Sequence, residues 1–187
     1  MTIGGATIPK MKEYIEENGH MLRNYRVVVL HVGTNHFSKK SEWFLYTKYV
    51  NGRFSKQTYD QKIREINPPP ALGTAITFRE NYQSLIDLVK SHTEAKILIS
   101  AVIPRLWDQD RRHIVRKIYN EILRKMANVN NVNVYFSATY RPFFDKNRNL
   151  RADLYNKDGL HLSDKGTTVF TTYLCDRIRR CVRGELK

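Results

Sequence analysis

Apolar residues in this chain follow two rhythms. Three short runs are apolar almost throughout and rich in β-branched residues: "RVVVLHVG" at 26–33, "KILISAVIP" at 96–104 and "VNVYFSA" at 132–138. Continuous runs of this kind read as strands covered on both faces, and Pro104 closes the second. Elsewhere apolar residues return every three or four positions, which predicts helices over about 8–18, 77–92, 111–127 and 164–182. In the last of these, Val169, Phe170, Tyr173, Leu174, Ile178, Cys181 and Val182 form one stripe, while Arg177, Arg179, Arg180 and Arg183 fall elsewhere. Cations late in a helix also complement its partial negative charge. Strands alternating with helices predict an α/β fold on a parallel sheet.

One stretch breaks the alternation. Residues 37–76 separate the first strand from its following helix, and "NPPP" at 67–70 stiffens their end. A connection this long is a lid, a binding insertion or a disordered loop. The 187 residues therefore read as a single domain, 1–187, with a basic aromatic insertion at about 37–76. Within it Trp43, Tyr46 and other aromatics interleave with Lys48, Arg53 and Lys56. Three readings stand side by side. The aromatics stack bases while the cations meet phosphates, or they line an acyl pocket, or they form a small local core.

Composition narrows the classes. A net charge of +14 favours polyanionic partners such as RNA or single-stranded DNA, or an anionic membrane surface, though a merely basic protein fits as well. No apolar run approaches a membrane span, and "MTIGGATIPKMKEY" lacks a secretory pattern. Cys175 and Cys181 lie six apart on one helix and face different ways, so both are expected reduced. An intracellular protein, cytoplasmic or nuclear, follows. The six histidines are dispersed and no paired Cys-x-x-Cys, P-loop or GxGxxG occurs, so neither metal nor cofactor is expected.

Three motifs carry candidate chemistry. "HVGTNHF" ends the first strand, where open α/β sheets bind ligands, and Asn35 can donate its amide to an oxyanion there. Taken alone, the motif reads first as an ordinary Gly-Thr-Asn turn. In "DGLHLSDKG" Asp158 precedes His161 by three, with Ser163 or Asp164 as a helix cap. A tight turn through Gly159 brings the carboxylate to one imidazole nitrogen, leaving the other as a base, with Leu160 and Leu162 anchoring the turn. A solvent-facing histidine on a capping loop is the plain alternative. "GGAT" near the N-terminus lets backbone amides of Gly4 or Gly5 approach an anion, or is simply a terminus.

The order "GGAT", then a strand ending "GTN", then "DGLHLSDKG" before the last helix resembles the SGNH (GDSL-type) hydrolases. It is most similar to the esterase-like domains of some animal retrotransposons. The resemblance implies a flavodoxin-like three-layer α/β/α sandwich, ester hydrolysis and no cofactor. It implies His161 as general base, Asp158 as its orienting acid, and Asn35 with Gly5 (or Gly4) as oxyanion donors. Two departures stand out. His36 follows the Asn where the family has Asp, and no Gly-Asp-Ser nucleophile motif occurs anywhere. The family's first strand, which carries that serine, is also without a counterpart. The neighbouring strand at 26–33 is then left with an open edge that a homodimer can fill. A weak or inactive ester hydrolase is the expectation, and a catalytically dead nucleic-acid-binding domain of mobile-element origin the alternative.

Overall fold

The computed structural model describes residues 7–33, 72–106, 111–129 and 132–186, with a few isolated positions between the first two segments. Helix α1 spans Ile8–Asn18 and passes into a 3-10 turn at Gly19–Asn24. Strand β1 (Val27–Leu30), helix α2 (Leu72–His92), strand β2 (Lys96–Ser100), helix α3 (Arg111–Val129) and strand β3 (Val134–Ser137) follow in order. Helix α4, Asp164–Val182, comes last. The sheet order is β1-β2-β3 with both pairings parallel, Val27 opposite Lys96 and Ile97 opposite Val134. The expected α/β class on a parallel sheet is what the structure has.

Period-two alternation divides the strand residues between two layers. Leu30, Ile97, Ile99 and Val134 meet α1, α2 and α3 through Ile8, Phe78, Tyr82, Leu85, Tyr119 and Leu123. Those α2 and α3 side chains are wholly buried. At roughly 1.5–3 kcal/mol for each large apolar side chain removed from water, this layer is the main source of stability. On the other face Leu98, with Val27, Val29 and Tyr135, packs on Cys181, Leu174 and Ile178 of α4. Leu186, just past α4, joins this cluster, and most of the apolar stripe of α4 stays half-buried. Among the described residues β1 has a strand neighbour on one side only.

The strands are shorter than the apolar runs predict, for physical reasons. Beyond Ser100 the chain stays extended, but Asn120 of α3 takes over the hydrogen bonds of Val102. Its Oδ1 accepts from the backbone N–H at 2.8 Å and its Nδ2 donates to the carbonyl at 3.1 Å. Beyond β1, Gly33 has φ +126, open to glycine alone, and a Cβ there would press on Val102 at 3.2 Å. One cation of α3 is taken out of solvent. Arg116 is buried, its guanidinium 5.7 Å from the centroid of Phe144. Both cysteines are free, Cys175 exposed and Cys181 buried.

Candidate active site

Parallel strands put all their carboxyl ends on one edge, and the segment between β3 and α4 folds over that edge. Tyr155 and Leu162 form an antiparallel bridge that closes residues 156–161 into a loop. Inside it the backbone N–H of Asn156 donates to the His161 carbonyl at 2.8 Å, and that of Gly159 to the Asn156 carbonyl at 2.8 Å. Gly159 makes the reversal at φ +66. Two bonds tie the loop to the chain leaving β2. The Leu106 N–H donates to the Gly159 carbonyl at 2.9 Å, and the Tyr155 hydroxyl to the Pro104 carbonyl at 2.6 Å. Underneath, Ile103, Phe143, Leu154 and Tyr155 form a small core that Leu162 joins, whereas Leu160 is half-buried.

This frame brings Asp158 to His161. One carboxylate oxygen accepts the backbone N–H groups of Leu160 and His161 at 2.9 and 3.0 Å, and the other lies 2.6 Å from His161 Nδ1. Partial burial works to raise the Asp158 pKa. The hydrogen bonds from the His161 ring and from the two amides outweigh it and hold the carboxyl below its ordinary value. An ionised carboxylate only accepts, so Nδ1 carries a proton, and in the neutral ring it is Nε2 that keeps the lone pair. The His161 side chain is 72% exposed, so that lone pair faces solvent and any incoming substrate. Ser163 caps α4 by accepting from the Gly166 N–H at 3.1 Å, which fixes where the loop ends and the helix begins.

A second histidine, unmarked by any motif, stands at the same edge. His31 follows β1, with Nδ1 2.8 Å from Ser100 Oγ, itself 2.9 Å from Thr139 Oγ1. The Thr139 hydroxyl donates to the Ala101 carbonyl at 3.0 Å. Its single proton being spent there, Ser100 must donate to Thr139, and His31 Nδ1–H to Ser100. The ring lies against Phe170 of α4, centroids 5.1 Å apart. It keeps contact with solvent, yet burial lowers its pKa. The signal in the sequence was a polar residue interrupting an otherwise apolar strand.

Of the other residues singled out in the sequence, Asn35, Gly4, Gly5, Trp43, Tyr46 and Lys56 lie outside the described residues. Lys48 and Arg53 are described, and the Arg53 N–H donates to the Lys48 carbonyl at 2.8 Å. Among the described residues no three His, Cys, Asp or Glu side chains gather as a metal site. Nor is any described helix long and apolar enough to cross a membrane.

The model of the GDSL-like lipase/acylhydrolase family matches residues 1–169. The chain belongs to that family. Solved relatives of similar fold include a candidate acylhydrolase from Bacteroides fragilis, 19% identical with a TM-score of 0.60, over 96% of this chain and 73% of that one. A GDSL-like lipase from Bacteroides thetaiotaomicron is 18% identical with a TM-score of 0.54, over 94% and 72%. At these identities the likeness is one of fold. No curated protein matches the sequence. Membership of the GDSL-like family supports hydrolase chemistry for the chain, on an α/β scaffold whose carboxyl edge carries the Asp158–His161 loop.

Proposed function

We propose that the chain is an ester-hydrolase domain in which Asp158 orients His161 as general base. The 2.6 Å contact between Asp158 and His161 Nδ1 is the observation that carries this reading. His161 Nε2 takes the proton of an attacking hydroxyl as its oxygen bonds to the ester carbonyl carbon. The Asp158 carboxylate stabilises the imidazolium, and the same proton then passes to the departing alkoxide. Asn35 and Gly5 (or Gly4) donate to the carbonyl oxygen as it becomes an oxyanion. The whole of 1–187 acts as one unit, with a basic aromatic insertion at about 37–76.

The sequence has no Gly-Asp-Ser, so the attacking hydroxyl in this chain is water. Without an acyl-enzyme route turnover is low; in subtilisin, loss of the nucleophile costs about 10⁶ in kcat. Among the described residues β1 has a strand neighbour on one side only, which supports self-association as a further property. The test is hydrolysis of a short activated ester by the purified chain. A slow rate above buffer that falls to background in His161→Ala is the expected result. A rate indifferent to His161→Ala, in protein folded by circular dichroism, removes the proposal.

A further inference from the structure

Opposite the Asp158–His161 loop, at the amino-terminal ends of the strands, lies an open cleft of about 630 Å³. Arg23, Tyr25 and Arg26 line it at the entry to β1, Lys90 at the end of α2, and Lys96 and Asn133 at the entries to β2 and β3. Glu94 is the one carboxylate in the lining. The helices run back toward this edge, so α2 and α4 present their carbonyl ends here, each worth about half a negative charge. That alone would attract cations, and part of the cluster is spent on it. Lys96 Nζ donates to the carbonyls of Cys181 and Val182 at 2.9 and 3.2 Å, and Lys90 lies in the last turn of α2. Arg23 and Arg26 are not so used. Both are exposed, and neither side chain has a hydrogen-bond or ion-pair partner among the described residues.

The walls are held in place. The Lys96 N–H donates to the Arg26 carbonyl at 3.0 Å, the Ile97 N–H to the Asn133 carbonyl at 2.7 Å, and the Thr93 hydroxyl to the Leu22 carbonyl at 3.1 Å. Tyr25, which lines the cleft with both arginines, is 50% exposed, a large aromatic side chain partly open to solvent among cations. Arg179 on the last turn of α4 is exposed as well, while Arg180 and Arg183 are paired with Glu185. Arg23 and Arg26 together with Lys90 and Lys96 in one lining are more cations than a single phosphate needs. The lining offers a bilayer no aliphatic side chain larger than Ala95.

We infer that this cleft binds single-stranded nucleic acid, with Arg23 and Arg26 on successive phosphates and Tyr25 stacked on a base. A single strand is favoured because a duplex keeps its base faces covered, whereas an exposed ring beside cations suits an unpaired base. The site is separate from the hydrolase site and does not depend on it.

The experiment is fluorescence anisotropy of a labelled single-stranded oligouridylate with the full chain. Expected is binding that weakens on the order of tenfold from about 50 to 200 mM salt. Arg23→Glu/Arg26→Glu weakens it by about tenfold or more, Tyr25→Ala by at least about fivefold, and Lys10→Glu/Lys146→Glu by less than about twofold. Should the charge-reversed pair fail to fold, Arg23→Gln/Arg26→Gln gives the same ranking. Equal weakening by the cleft and control pairs overturns the site, as does no binding at low salt. Binding to anionic phospholipid vesicles without binding to the oligonucleotide overturns it too. His161→Ala leaves the affinity unchanged, so failure here and failure of the hydrolase reading are distinguishable.

Discussion

At the scale of single residues, the chemistry turns on which nitrogen of an imidazole holds the proton. In His161 the Asp158 carboxylate settles this, because it accepts and cannot donate. Asp158→Asn keeps an oxygen for the two backbone amides but turns an N–H toward Nδ1. The ring then holds its proton on Nε2, the atom that must be bare. Ester hydrolysis is expected to fall on the order of 10²–10⁴-fold, as for loss of the base itself, with the circular dichroism spectrum unchanged. His31 reports differently. Burial depresses its folded pKa, so its contribution to stability is complete above the ordinary imidazole value near 6.5 and is lost as pH falls through the depressed value. An NMR titration of the histidine ring protons is expected to show His31 changing charge below pH 6.5. A midpoint at or above that value would show that the ring is not desolvated by its packing against Phe170.

At the scale of elements, α1 and α4 were legible to their end residues, because their apolar spacing is regular and Ser163 marks a start. Helix α2 begins at Leu72, five residues before its apolar period becomes clear, since Gly73 and Thr74 give no helical signal. The strand runs were right in place and too long, because Gly33 turns the chain at the end of the first run and Asn120, outside the second, takes over the hydrogen bonds of Val102. Asp158 and His161 could be read from spacing, being three apart on one turn. The His31 relay could not, since its members lie at 31, 100 and 139 and meet only through the parallel register. The join of the loop to α4 rests on Gly166, where a Cβ would collide with the Leu154 carbonyl oxygen that also accepts the Ser163 N–H. Gly166→Ala is expected to cost about 3 kcal/mol, because backbone offers no easy way to yield. Urea unfolding measures it, and a cost below about 0.5 kcal/mol would mean that α4 is not seated on Leu154 as described.

At the scale of the whole molecule, the two faces of the sheet are unequally covered, and β1 leaves backbone groups open along one side among the described residues. Sedimentation between about 10 and 100 µM is expected to show concentration-dependent association, and Val27→Lys to shift it toward monomer. A monomer throughout that range would show that the edge is protected. Helix α4 ties this molecule together lengthwise. Its 19 residues extend roughly 28 Å, from the turn holding His161 to the carbonyls gripped by Lys96. An ester at one end and a polyanion at the other would be too far apart to displace each other. A strand anchored at the far pole would act as a tether, leaving the hydrolytic mouth open and holding it near whatever the strand is attached to.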